Sequence, residues 1–347
     1  MSIAFSQHPP PRPPVIFPPL TQDPCKAYLR LGPGLVQAAT VELGEDSEHM
    51  SKEIAGIIAA VVTPFDENEE IHEEAFRRVV EHLVQGGVHG LFPVGSQGEF
   101  FALSLEEKRR LMELAVEQAA GRVLVMPNTG AITTRESVSL SQMAESIGAD
   151  CVSVITPFFV SPSQEELYEH FKAVCRSVRI PVLAYNNPDR TGGVALKVDT
   201  LNRLARECPN FLGVKDSSGD LTAVAEMVRL CPPGFKVIMG RDTLIFAALM
   251  QGAAGAIAAT ANVAPRLVVD IYQAFLEGDY QRARRSQMTL APLRMAFGLG
   301  TFPVVVKEAL ELMGIAPGRC RAPVGPLAPQ ARERLRAILV EMGLLEA

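Results

Sequence analysis

The chain has 347 residues, 48% of them hydrophobic and 21% charged, with a formal net charge of −6. That balance describes a globular protein with a substantial core and argues against a nucleic-acid footprint, since no basic stripe runs along any predicted helix. No run of 18 apolar residues occurs, so no transmembrane helix is expected and no membrane partner. The six cysteines are scattered without a CxxC pair and the six histidines show no ligand spacing, so a reducing, cytoplasmic setting is expected, with no metal and no cofactor.

Residues 1–52 differ from everything after them. His8-Pro9-Pro10-Pro11-Arg12-Pro13-Pro14 and Pro18-Pro19 exclude helix and central strand, and read as a disordered, proline-rich leader. No apolar segment follows a basic start, so a secretory signal is not expected, and the acids at Glu42, Glu45, Asp46 and Glu48 suit an organelle transit peptide poorly. Met50-Ser51-Lys52 makes a natural start, and the leader reads as an over-extended reading frame, which N-terminal sequencing of the native protein tests.

From residue 53 the pattern becomes regular. Ile57-Ile58-Ala59-Ala60-Val61-Val62-Thr63 is a continuous apolar run closed by Pro64-Phe65-Asp66, hence a buried strand and a turn. Residues 73–85 carry Phe76, Val79, Val80 and Leu83 at helical spacing and stop at Gly86-Gly87. Strand two, from Gly90, opens into Gly95-Ser96-Gln97-Gly98-Glu99, and Ser104 with Glu107 forms a capping box for the next helix. Strands follow over 122–126, 151–155, 181–185, 211–215, 236–240 and 255–259, with helices over 134–147, 164–178, 198–206 and from Leu221. Near-continuous apolar strands suit a sheet buried on both faces. Eight β–α units in about 250 residues point to a closed (β/α)8 TIM barrel spanning 53–264. An open doubly wound sheet is the alternative, weakened because no G-x-G-x-x-G follows the first strand. Residues 265–347 then read as the last barrel helix plus a C-terminal helical appendage, with no chemical constellation of its own.

In such barrels the reactive groups sit where strands end. Those positions are Thr63, 95–99, 127–130, Phe158-Phe159, Tyr185-Asn186-Asn187-Pro188, Lys215, Gly240-Arg241-Asp242 and Ile257. Lys215 closes an apolar strand, where partial desolvation lowers an amine's pKa and supplies a carbonyl nucleophile; the plain alternative is a lysine snorkelling into solvent. Tyr185 ends the adjacent strand, placing a phenol beside that amine as a proton relay. The glycines of 95–99 allow backbone N–H groups to converge on a carboxylate. Glycine-rich phosphate loops are missing after strands seven and eight, so a phosphorylated substrate is not expected.

At these residues the chain resembles the pyruvate-dependent class I aldolases and lyases typified by dihydrodipicolinate synthase and N-acetylneuraminate lyase. Gly95-Ser96-Gln97-Gly98-Glu99 resembles that family's G-[ST]-x-G-E loop, Tyr185-Asn186-Asn187-Pro188 its Y-N-x-P, and Gly213-Val214-Lys215-Asp216 its G-[IVM]-K-[DE] strand. The resemblance, over about 53–345, implies an imine between Lys215 and pyruvate or another 2-oxo acid, with no cofactor. It implies that Gly95, Ser96 and Gln97 hold the substrate carboxylate, that Ser96 and Tyr185 act in catalysis, that Ile257 lines the pocket, and that the protein is a homotetramer. The synthases carry a tyrosine, contributed across a subunit interface, where this chain has Phe158-Phe159. Pro188-Asp189-Arg190-Thr191-Gly192 matches the synthase pattern in which the arginine grips a carboxylate. Gly95–Glu99 with Lys215-Asp216-Ser217-Ser218-Gly219-Asp220 looks closer to 4-hydroxy-2-oxoglutarate aldolase and the 2-keto-3-deoxy sugar-acid aldolases. A catabolic aldolase of that kind is the expectation; the synthase is the alternative, and a non-catalytic 2-oxo-acid sensor is the reading from another class.

Overall fold

In a computed structural model, which describes residues 52–346, eight strands alternate with helices. The leader expected over 1–52 lies outside the described residues apart from Lys52. The strands are β1 (Gly56–Ala60), β2 (Gly90–Phe92), β3 (Leu124–Val125), β4 (Val152–Ile155), β5 (Val182–Asn186), β6 (Phe211–Asp216), β7 (Lys236–Met239) and β8 (Gly255–Ala258). They form one parallel sheet in the order β3-β2-β1-β8-β7-β6-β5-β4. The first strand therefore pairs with the last, Ile58 beside Ile257, as a barrel demands. β3 and β4 share no regular ladder, yet Ser153 N–H donates to the Pro127 carbonyl at 3.0 Å and Thr129 N–H to the Ser153 carbonyl at 2.9 Å. Those bonds carry the parallel pairing across the remaining edge, giving the TIM-barrel class expected.

Five of the eight helices that wrap the sheet start at a side-chain cap supplied by the sequence. α1 (Glu73–Gln85) buries Phe76, Val79, Val80 and Leu83, the predicted face. α2 (Leu105–Ala119) has the reciprocal Ser104/Glu107 capping box, and α4 (Gln164–Ser177) a second one from Ser163 and Glu166. Each such cap contributes about 1 kcal/mol to its helix. Thr133 caps α3 (Thr134–Ile147), and α5 covers Val198–Glu207. Asp220 caps α6 (Leu221–Leu230), accepting from the N–H groups of Thr222 at 2.8 Å and Ala223 at 3.1 Å. The end of the 215–220 motif is thus a helix start.

α7 (Ile245–Met250), six residues between β7 and β8, is too short to show a periodic signal and is absent from the sequence reading. α8 (Pro265–Leu276) is the eighth barrel helix, followed by α9 (Tyr280–Met295), α10 (Val304–Leu312) and α11 (Pro329–Glu341). Val304, Val305, Val306, Ala309 and Leu310 of α10 are buried in the same hydrophobic cluster as the strands, so this appendage belongs to the core. Among the described residues no single helix is long and apolar enough to cross a membrane.

Candidate active site

The carboxyl ends of the strands open into a cavity of about 580 Å³, a size suited to a small organic ligand with room to spare. Lys215 is 4% exposed and sits opposite Tyr185 in the β5–β6 register. Its ammonium lies 3.8 Å from the centre of the Tyr185 ring and 4.0 Å from that of Phe92, with no carboxylate in ion-pair contact among the described residues. Burial therefore pushes the Lys215 amine below its usual 10.5, against the opposing pull of Tyr185 and Asp242. Two aromatic faces provide some cation–π stabilisation, less than water would give. The seat favours a neutral nucleophile, and the snorkelling alternative is not what the fold adopts.

The Tyr185 hydroxyl is the centre of a small polar chain. It receives the Asn187 side-chain amide at 2.8 Å and lies 3.3 Å from Ser96 Oγ. Burial raises the phenol's pKa, but the Lys215 charge and those hydrogen bonds outweigh it, so the net shift is downward from 10. A buried amine of lowered pKa beside a phenol of lowered pKa can pass a proton at small cost.

The 95–99 loop is held rather than loose. Thr63 Oγ1 donates to the Gly98 carbonyl at 2.8 Å, and Val94 and Glu99 bracket the turn with φ of 56° and 55°. Neither the Ser96 nor the Gln97 backbone N–H has a protein acceptor among the described residues, and the buried Gln97 Oε1 is also unpartnered. Unspent donors at the wall of a cavity are what a carboxylate needs. Behind the loop, the fully buried Glu99 carboxylate accepts from Lys307 Nζ of α10 at 2.6 Å and from the Arg321 backbone N–H at 3.1 Å.

Ser96, Gln97, Tyr185, Arg190, Lys215 and Ile257 all line the cavity, bringing together residues read separately from two loops and three strands. Gly95, expected to bind substrate, does not line it. A side chain at Gly95 would overlap the Phe92 ring that packs under Lys215, so its part is to admit that ring. Phe159 does not enter this chain's cavity either: it is 94% exposed with φ of 72°, while Phe158 packs edge-on to Phe100 at 5.6 Å. Asp216 lies on the other face of β6, where it accepts from Asn186 at 2.7 Å and Ser218 at 2.6 Å and ties the strand ends together. The sequence reading also missed Arg294, Phe297 and Phe302. They come from α9 and the segment after it, so the C-terminal appendage does contribute to the site. Their only sequence signal is aromatic and arginine side chains in a stretch without strand ends.

Comparison with known proteins agrees with this geometry. The profile of the Dihydrodipicolinate synthetase family matches residues 53–342. The chain is 40% identical over 297 residues to a 4-hydroxy-tetrahydrodipicolinate synthase of Methanopyrus kandleri, covering 85% of this chain and 99% of that one. A second such synthase, from Nitratidesulfovibrio vulgaris, is 40% identical over 293 residues, 84% of this chain and all of the other. Among solved structures, dihydrodipicolinate synthase from Aquifex aeolicus superposes with a TM-score of 0.81 at 36% identity, over 84% of this chain and 100% of its own. An E. coli prophage protein of the dihydrodipicolinic acid synthase family, solved in complex with pyruvate, gives 0.81 at 32% identity, over 84% and 99%.

Proposed function

The chain belongs to the dihydrodipicolinate synthetase family of pyruvate-dependent class I lyases, and from that premise we propose that it condenses pyruvate with aspartate semialdehyde. The observation that carries this reading is the buried Lys215 amine, held against Tyr185 in a cavity whose wall offers unspent N–H donors. The catabolic aldolase expected from the 95–99 and 215–220 motifs now stands second, because the similar curated relatives are synthases. A non-catalytic sensor loses its motivation in a chain of a lyase family that retains both amine and phenol.

In this proposal the neutral Lys215 amine attacks the ketone of pyruvate, and loss of water leaves an imine. Tyr185 supplies the proton that departs with that water and, with Ser96, returns protons in later steps. The Ser96 and Gln97 amides hold the keto-acid carboxylate, and Ile257 closes the wall beside it. The protonated imine draws electrons from the neighbouring carbon, so losing a methyl proton gives an enamine, the carbon nucleophile. That carbon attacks the aldehyde, whose oxygen takes a proton. Attack of the product's own amine on the imine carbon closes a ring and releases Lys215. Arg190, stacked 4.2 Å from the Phe302 ring centre at the mouth, offers a guanidinium to the aldehyde's carboxylate.

A homotetramer and a cytoplasmic location are part of the same proposal. Cys151, Cys175, Cys208, Cys231 and Cys320 are all buried free thiols, which suits a reducing compartment. Steady-state assays with pyruvate plus aspartate semialdehyde, and separately with 4-hydroxy-2-oxoglutarate, test the substrate assignment. Turnover of the second without the first would return the catabolic aldolase to first place.

A further inference from the structure

We propose that Arg294, on α9, is a specificity residue for the second substrate, reading together with Arg190 a carboxylate remote from the reacting carbon. The proposal rests on the lyase reading above and deepens it.

The charged groups of the cavity wall are unequally occupied. Asp242 accepts from the Thr260 backbone N–H at 2.7 Å. Arg241 is spent on Asp189 and on the Ser217 carbonyl. Lys215 is reserved for the ketone. Arg190 and Arg294 remain, and neither has a carboxylate partner among the described residues. Each instead lies against a ring, Arg190 at 4.2 Å from the Phe302 centre and Arg294 at 4.8 Å from that of Phe297. A ring face fixes the plane of a guanidinium and leaves its N–H edge free to fork onto a carboxylate. The keto acid brings only one carboxylate, for which the 96–97 backbone donors suffice. Two guanidinium groups are therefore surplus to the first substrate, and they reach one cavity from separate elements, Arg190 from the segment after β5 and Arg294 from α9. A neutral aldehyde would leave both without an acceptor there, whereas an acidic aldehyde satisfies them, so the cavity selects by charge.

The test separates this proposal from the lyase reading. Wild-type protein, R294Q and R294K are treated with pyruvate and borohydride, the mass gain on Lys215 is checked, and the reduced adduct is titrated calorimetrically with succinate semialdehyde and with butanal. These aldehydes share a four-carbon chain and differ by the carboxylate. The wild-type adduct should bind the acidic aldehyde at least about tenfold more tightly than butanal. R294Q should lose most of that preference with butanal binding unchanged, and R294K should recover part of it. Equal weakening of both ligands in R294Q, or no change in either, would overturn the clamp while leaving the lyase reading intact. No mass gain in the wild-type protein would remove the lyase reading and the clamp with it.

Discussion

Replacing Lys307 by Met exposes how the 95–99 loop is held. Lys307 and Glu99 are both fully buried and meet at 2.6 Å, with the Arg321 backbone N–H as the second donor to Glu99. Met has nearly the volume of the lysine stem, so packing against Phe65, whose ring centre is 4.3 Å from the lost ammonium, survives. What remains is a carboxylate at zero exposure with one donor in place of two. Removing one member of a buried pair costs about 3–5 kcal/mol, because the survivor is left uncompensated. Glu99 also has a left-handed backbone, φ 55°, which costs roughly another kcal/mol and persists only while its surroundings fix it. Denaturant unfolding at pH 7 should therefore show Lys307→Met less stable by about 3–5 kcal/mol. The double variant Glu99→Gln/Lys307→Met removes both charges and should recover at least about 2 kcal/mol relative to the sum of the single losses. The 95–99 loop should also bind pyruvate more weakly in the single variant. A loss under about 1 kcal/mol, or strict additivity in the double variant, would refute the claim that this pair anchors the loop.

Other outcomes follow from the same geometry. Lys215→Met should abolish the pyruvate adduct and raise stability, since an amine held below 10.5 by burial is penalised in the fold. That penalty is fully present below the folded pKa and vanishes as pH rises to 10.5, so the gain in denaturant stability should be larger at pH 7 than near pH 10. Tyr185→Phe removes the hydroxyl shared by Ser96 and Asn187 and should cut turnover at least about 100-fold with the fold intact, as a steady-state assay with matched circular dichroism would reveal. His170, 5% exposed beside Thr134, is pushed down by burial to about 4, so its stability contribution is present above pH 6.5 and lost as pH falls through 4. Between those limits unfolding stability should drop by up to about 3 kcal/mol, a fall that His170→Gln should blunt.

The strands, most helices and the cavity residues at strand ends were legible because their signals are local. Apolar runs, caps such as Ser104 with Glu107, and polar motifs at strand ends each occupy a few consecutive residues. Helix α3, for example, occupies the predicted 134–147, since Thr133 and Gly148 mark its two ends. What escaped detection depends on residues distant in sequence. Glu99 and Lys307 are 208 residues apart, and no periodicity links them. Arg294 lines the mouth because α9 folds back over the barrel, although its helix reads as an ordinary charged one. Gly95 shows a different limit: a glycine needed for close packing and one needed for a ligand look alike until the neighbouring Phe92 ring is placed. The catabolic-aldolase expectation drawn from the 95–99 and 215–220 motifs gave way on other grounds, because the similar relatives are synthases; within 215–220, Asp220 serves as a helix cap.

The central claim is that the Lys215 amine captures the ketone of pyruvate as an imine. Purified protein incubated with pyruvate, reduced with borohydride and digested with trypsin should show the mass of a reduced pyruvyl adduct on the peptide carrying residue 215 and on no other. An unmodified peptide there, or an adduct on a different lysine, would contradict the account.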